Sequence, residues 1–201
     1  MRKSNFIVFE GISACGKSEY IKRVIEILKT NNCSYYLYEW NSNHFFRVII
    51  ELLEKLGLLS ADIFAAIQYI SFLYDVKFKL ATPSKKVDYI LCDRYIYTGM
   101  VRDKCNGSKH LPFLSKKICF SVPDYIFYIK TPPTVCYERI IMRKKKIRYF
   151  ADKSNINSTL SYLKNCEQEY DRILITMNTS VVKIIDSLSS ENLDELETIL
   201  L

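Results

Sequence analysis

The segment from Phe6 to Ser18 constrains the fold of this chain more than any other part of the sequence. Apolar residues lead into Gly11, and residues 11–18 match the pattern G-x-x-x-x-G-K-[ST] at every fixed position. Glycines at both ends allow a tight turn that aims backbone N–H groups at a polyphosphate, while Lys17 adds a cation near the outer phosphates. The hydroxyl of Ser18 is suited to Mg²⁺. The segment therefore predicts a phosphate loop.

The residues after the loop support this interpretation. Residues 19–29 place apolar side chains at helical spacing and charged side chains on the opposite face. A helix is expected to begin near Gly16, so that its partial positive charge faces the same anion. The alternative, a glycine turn with a surface lysine, does not explain why the pattern stands between a strand and an amphipathic helix.

Strand-like and helix-like segments alternate along the rest of the chain. Residues 88–93 form a short apolar run that ends in an acid, which is typical of a buried parallel strand with a functional carboxylate at its end. The alternation predicts an α/β fold with a doubly wound parallel sheet, in one domain over residues 1–201. Further strands are expected at 34–38, 125–129 and 181–185, and helices at 44–56, 60–80, 95–104, about 131–142, 157–175 and from 190.

Composition indicates a globular protein, with 49% hydrophobic and 25% charged residues. No apolar run approaches the length of a membrane span, and the basic start of the chain is not followed by a secretion signal, so we expect a cytoplasmic protein with no membrane partner. The seven cysteines include no C-x-x-C pair, which favours reduced thiols over a metal site. The net charge of +7 comes without a zinc finger or an aromatic-rich RNA motif, so small anionic substrates account for it and no nucleic-acid partner is expected.

Several short motifs follow one another along the chain: Phe9-Glu10-Gly11, Asp93-Arg94-Tyr95, Pro123-Asp124, Pro132-Pro133, Glu138-Arg139 with the basic segment after it, and Ile185-Asp186-Ser187. In this order they resemble the motifs of the thymidylate kinase family, and the resemblance covers nearly the whole chain. It implies the P-loop nucleoside monophosphate kinase fold, with a five-stranded parallel sheet flanked by helices and a basic lid at about residues 143–153. It also implies transfer of the ATP γ-phosphate to a deoxynucleoside monophosphate.

The resemblance further implies roles for individual residues. Lys17 would hold the ATP phosphates, Ser18 and Asp93 would serve the Mg²⁺ ion, and Arg94 would grip the acceptor phosphate. The alternative for Asp93 and Arg94 is a structural ion pair at a strand end. A homodimer is also expected. The ATP-binding set would be Gly11, Ile12, Ser13, Ala14, Cys15, Gly16, Lys17 and Ser18.

The basic run at residues 143–148 corresponds to the mobile lid of these kinases. Some members place a catalytic arginine in the phosphate loop and others place it in the lid. This chain has Ala14 where the loop arginine would stand, so the lid is expected to supply the charge. Arg143 and Arg148 are the candidates, with residues 144–146, all lysines, as helpers. The alternative is a solvated basic turn.

The phosphate loop and the long helix depart from the family on the acceptor side. Ser13 replaces a common acid that helps place the acceptor sugar. The helix keeps Phe72, which would stack on the base, but has Val76 in place of an arginine, and valine cannot hydrogen-bond a base edge. Gln68, one turn earlier, is a candidate for amide contacts to a base, or else a polar residue of the helix surface.

Glu39 and Trp40, after the second strand, also differ from the family and are similar to a segment of deoxynucleoside kinases, where the acid acts as base on a sugar hydroxyl. Trp40 could instead be a core aromatic. We therefore expect ATP-dependent phosphorylation of a nucleoside monophosphate, with dTMP as default acceptor. The alternatives are another deoxynucleotide, a nucleoside, or a non-catalytic regulatory protein that binds nucleotides.

Overall fold

A computed structural model describes residues 4–81, 86–109, 122–143, 156–177 and 181–186, together with 197, 198 and 200. Its centre is a five-stranded sheet in the order β2-β3-β1-β4-β5, and every neighbouring pair is parallel. This confirms the predicted parallel α/β architecture. The strands are β1 (Asn5–Glu10), β2 (Tyr35–Glu39), β3 (Tyr89–Asp93), β4 (Tyr125–Ile129) and β5 (Val182–Ile185).

Helices join the strands and cover the sheet, close to the predicted positions. The central strands are buried, as expected for parallel strands packed on both faces. No helix among the described residues is long and apolar enough to cross a membrane. The α-helices are α1 (Lys17–Thr30), α2 (His44–Lys55), α3 (Ala61–Asp75), α4 (Ile96–Cys105), α5 (Pro133–Met142) and α6 (Ile156–Leu174).

The long helix predicted over residues 60–80 is α-helical only as far as Asp75, and Val76–Leu80 continues it as a π-helix. At the junction, the buried Asp75 carboxylate accepts a hydrogen bond from Tyr38 at 3.0 Å and pairs with Lys79 at 2.8 Å. Apolar periodicity could not reveal this change, because a single π turn hardly alters the sequence pattern. The predicted C-terminal helix and most of the basic lid lie outside the described residues.

The order of the strands places a crevice at the carboxyl end of β1. From β1 the chain passes to β2 on one side of the sheet, and after β3 it crosses to β4 on the other side. Ligands of open parallel sheets bind where the direction of winding reverses in this way. The phosphate loop and the Asp93-Arg94 pair both follow strands that end at this crevice.

Candidate active site

The phosphate loop needs glycine at its two fixed positions. Gly11 and Gly16 have φ angles of +147° and +107°, which side chains with a Cβ rarely adopt. A Cβ at Gly11 would also lie 2.5 Å from the carbonyl oxygen of Ile129 on the neighbouring strand. Ala14 accepts a left-handed φ of +65° within the turn. The loop conformation is therefore built into the sequence.

Three side chains from other elements hold the loop by its carbonyl oxygens. Thr131, after β4, donates to the Cys15 oxygen at 2.7 Å, and Arg139 on α5 donates to the Ala14 oxygen at 3.2 Å. Arg94, after β3, donates to the Gly11 oxygen at 2.8 Å. Carbonyl oxygens repel phosphate. Because these side chains hold the carbonyl oxygens by hydrogen bonds, they favour a loop conformation in which the backbone N–H groups face an anion.

Lys17 is a cation with little access to water. Its side chain lines the cavity but the residue is only 7% exposed. Burial, and then the nearby charge of Arg94, lower the pKa of Lys17. The negative charge of an anion in the loop would oppose both effects on the pKa of Lys17, so the site favours a bound polyphosphate.

A cavity of about 570 Å³ extends from the loop along β2, β3, α4 and α6. Glu39 and Asp93 stand opposite each other in the β2–β3 register, and both line it. Among the described residues neither carboxylate makes a hydrogen bond or an ion pair. Two carboxylates at adjacent strand ends are thus open to a ligand. Other lining residues include Ile12, Ser13, Ala14, Gly16, Ser18, Trp40, Arg94, Arg102, Asn106, Arg143, Tyr162 and Tyr170.

Arg94 is half-buried between the loop and α6, and its φ of +76° is unusual for a side chain of this size. Its Nη1 atom bonds to the protein, with Gly11, Thr98 and Tyr170 as acceptors at 2.8, 3.0 and 3.1 Å. Arg94 does not form the simple ion pair with Asp93 that was the structural alternative. A strained backbone and a firmly held guanidinium are typical of functional sites.

The predicted acceptor residues divide into two groups. Glu39 and Trp40 line the cavity, and Trp40 packs against Phe72 with ring centroids 4.6 Å apart. Phe72 is 2% exposed, its ring also contacts Tyr95, and it is not among the residues that line the cavity. Gln68 is also buried, at 3% exposure, and its amide has no hydrogen-bond partner in the described part of the chain. The structure does not bring Phe72 or Gln68 to the cavity.

Sequence reasoning missed the cavity wall formed by α4 and α6. Arg102 and Asn106 line it from α4 and its C-cap, and Tyr162 on α6 donates to Asn106 at 3.1 Å. Arg102 stands eight residues after Arg94, on the helix predicted at 95–104, and this closeness in the chain is the signal that could have found it. Of the predicted lid residues, Arg143 is exposed at the cavity edge, while Arg148 and residues 144–146 lie outside the described residues.

The oxygen donors next to the phosphate loop fit Mg²⁺. This ion prefers hard oxygen ligands and usually takes one or two carboxylates, with substrate phosphates and water completing its shell. Ser18 and Asp93 line the same cavity and offer such oxygens. No cluster of three or more His, Cys, Asp or Glu side chains suited to a metal occurs in the described ranges. The residues fit an ion that arrives with a nucleotide.

A phosphate loop and a buried lysine that share one cavity with an arginine and open carboxylates define a P-loop phosphotransferase of small molecules. The family model for thymidylate kinases matches residues 9–195. A probable thymidylate kinase 2 of Saccharolobus solfataricus is 31% identical over 71% of this chain and 66% of its own length. A thymidylate kinase of Plasmodium falciparum is 28% identical over 69% of this chain and 67% of its own. A thymidylate kinase of Leptospira borgpetersenii is 28% identical over 87% of this chain and 83% of its own length.

The chain belongs to the thymidylate kinase family. This confirms the resemblance inferred from the motifs. Membership supports a nucleoside monophosphate kinase with ATP as phosphate donor, and phosphorylation of dTMP to dTDP.

Proposed function

We propose that the protein transfers the γ-phosphate of ATP to dTMP in a reaction that requires Mg²⁺. The observation that carries this proposal is the position of Lys17 and Arg94. These two cations come from different elements, and both line the same cavity as Ser18 and Asp93. Phosphoryl transfer chiefly requires two phosphates to be held in line while developing charge is neutralised.

On the donor side, residues 11–18 bind ATP. Backbone N–H groups of the loop and the N-terminus of α1 receive the phosphates, and Lys17 neutralises the outer ones. Ser18 and Asp93 would hold the Mg²⁺ ion, which would supply positive charge that shields the phosphates from one another. The open carboxylate of Asp93 supports this assignment.

On the acceptor side, Arg94 binds the phosphate of the monophosphate. Its Nη1 atom is used by the protein, Nη2 makes one long contact of 3.4 Å to Ile12, and Nε makes no hydrogen bond with the described residues. The Nε–Nη2 edge therefore remains for a ligand, and such an edge binds phosphate in a bidentate manner. Glu39, Trp40 and Arg102 line the space for sugar and base.

The lid completes the site. Arg143 stands at the cavity edge, and we propose that it or Arg148 meets the charge that builds on the transferred phosphoryl group. Ala14 in the phosphate loop carries no charge, so the loop itself provides no arginine.

A nucleoside acceptor is the second candidate, and Glu39 is the observation that favours it. Its carboxylate lies at the end of β2 opposite Asp93, lines the cavity and makes no hydrogen bond with the described residues. A carboxylate in that state can act as general base on a sugar hydroxyl. A monophosphate acceptor does not need such a base, because its phosphate oxygen is already nucleophilic.

One panel of assays tests these candidates. ADP release from ATP and Mg²⁺ is measured with all common nucleosides and monophosphates, including dTMP. We expect dTMP to give the highest kcat/KM. A preference for a nucleoside would select the second candidate, and ATP binding without any turnover would indicate a regulatory nucleotide-binding protein.

We further propose a cytoplasmic, single-domain homodimer. Five apolar side chains of α2, α3 and their extensions are each more than half exposed. We propose that they form the dimer interface, since large exposed apolar patches mark interaction sites. Free thiols at the six described cysteines suit a reducing compartment. Sedimentation should show a dimer that Leu52→Arg and Ile70→Arg dissociate. The exposed side chains are Phe45, Leu52, Leu56, Ile70 and Phe78.

A further inference from the structure

The hydroxyl of Tyr170 on α6 is the meeting point of a buried hydrogen-bond network. It lies 3.1 Å from Arg94 Nη1, 2.7 Å from Thr98 Oγ1 and 3.0 Å from Glu10 Oε2. The Tyr170 ring stacks on Tyr128 with centroids 5.6 Å apart. One side chain of α6 thus joins the end of β1 to the arginine after β3.

Glu10 supplies the negative charge of this network. The residue is fully buried at the end of β1, and its Oε1 atom accepts from the backbone N–H groups of Tyr95 and Thr98 at 2.8 and 3.3 Å. Its Oε2 atom accepts from Thr98 Oγ1 at 2.6 Å and from Tyr170. Burial raises the pKa of Glu10, while the charge of Arg94 and these hydrogen bonds oppose the rise. A buried carboxylate is tolerated when it is paired in this way.

The hydroxyls of Thr98 and Tyr170 lie between the positive charge of Arg94 and the negative charge of Glu10. Arg94 Nη1 donates to both Thr98 and Tyr170, and both donate onward to Glu10. Burial raises the pKa of Tyr170 well above its usual value, and the nearby Glu10 adds to the rise, so the hydroxyl keeps its proton. The network fixes the orientation of the guanidinium, because rotation of Arg94 would break contacts to three different elements.

We propose that Tyr170 is a positioning residue: its hydroxyl ties Arg94 to Glu10 and so holds the Nε–Nη2 edge of the guanidinium where an acceptor phosphate enters. The inference rests on the proposed function, since it assigns that edge to the acceptor. A purely structural hydroxyl would stabilise the fold without any preference between the two substrates.

Tyr170→Phe tests the proposal, with Tyr128→Phe as matched control. Tyr170→Phe keeps the stacked ring and removes the hydroxyl. Tyr128→Phe removes a hydroxyl that donates to the Asp171 carboxylate at 3.0 Å. Asp171 is the residue after Tyr170 in the sequence, but the Tyr128 hydroxyl makes no hydrogen bond with Arg94. Each variant therefore loses one tyrosine-to-carboxylate hydrogen bond that connects α6 to a strand of the sheet. Tm, the calorimetric Kd of ATP and of dTMP, and steady-state kinetics are measured for each.

We expect the Kd and KM of dTMP to rise about tenfold in Tyr170→Phe, the size of effect typical of a lost hydrogen bond to a charged group. The Kd of ATP should stay near the wild-type value, and Tyr128→Phe should bind both ligands normally. Thr98→Val, which removes the other hydroxyl between Arg94 and Glu10, should reproduce the dTMP-selective loss and keeps the test decisive if Tyr170→Phe does not fold.

Equal losses for ATP and dTMP, or equal effects in the two tyrosine variants, would overturn the positioning role. A wild-type protein that binds dTMP without phosphorylating it would overturn the proposed function alone, and the dTMP Kd values would still decide on Tyr170. A wild type that does not bind dTMP would overturn both.

Discussion

The amino group of Lys17 lies 3.8 Å from the thiol sulfur of Cys15, inside a loop that is largely closed to water. A thiol is a weak partner for a cation. The lowered pKa of Lys17, caused by burial and then by Arg94, reflects this lack of compensation. In the absence of nucleotide the loop would therefore hold a positive charge at an energetic cost, and phosphate binding would offset that cost.

Lys17→Met should lower kcat by about a hundredfold or more, because it removes an electrostatic contact to the transferred group. The Tm of the free protein should stay the same or rise, since a buried cation no longer has to be desolvated. Thermal shift with and without ATP, together with ADP release, checks both points. A folded variant with normal turnover would contradict the phosphate-loop assignment.

The variants Asp93→Asn and Glu39→Gln distinguish a carboxylate that binds the metal from one that acts as a general base. They make the same charge change at opposite positions of the β2–β3 register. Asp93→Asn should raise the Mg²⁺ concentration needed for half-maximal rate by roughly tenfold or more. Glu39→Gln should leave that requirement unchanged with dTMP. If Glu39→Gln alone abolished phosphorylation of a nucleoside, the acid would be a general base and the second candidate function would stand.

The sheet, its strand ends and the residues directly after them were predictable from sequence. Apolar runs predict β1 and β3. The motifs around Lys17 and Arg94 follow the carboxyl ends of these strands, where ligands of parallel sheets bind. These features depend on residues close together in the chain, so their pattern survives in the sequence.

Contacts between distant segments were not predictable. Tyr170 follows Arg94 by 76 residues, and nothing in a helical pattern tells which tyrosine will meet a buried arginine. Helical spacing grouped Gln68 and Phe72 correctly, but it cannot tell whether their shared face meets the cavity or the core. The structure buries both. The roles of these residues therefore depend on how α3, α4 and α6 pack.

Asp103 on α4 makes stability depend on pH. Burial raises the pKa of Asp103 from 3.8 to about 7; Arg102 opposes the rise and Asp62 adds to it. The group thus contributes stability that is fully present below pH 3.8 and is lost as pH rises through about 7. Asp103→Asn should raise Tm by roughly 5 °C above pH 7 and by little near pH 4, a size in line with usual Tm shifts for this chain length. Melting curves at pH 4, 6 and 8 check it, and a difference that does not vary with pH would contradict it.

The basic lid that begins at Arg143 is expected to contribute to catalysis. Charge that builds on the transferred phosphoryl group needs a cation, and Ala14 leaves the phosphate loop without an arginine. An arginine in this role contributes roughly a thousandfold to kcat in other phosphoryl-transfer enzymes. We therefore expect Arg143→Ala or Arg148→Ala to lower kcat strongly with little change in nucleotide Kd, because the contact forms when the lid closes.

Lys104→Ala is the control, since it removes an exposed cation from α4 that does not line the cavity. It should leave kcat unchanged. If the basic run only attracts nucleotides, the arginine variants would instead raise KM modestly, and added salt would erase their difference from wild type. Rates at low and high ionic strength distinguish the two mechanisms, because a charge that touches the transferring phosphate inside a closed site is screened far less than one that acts through solvent.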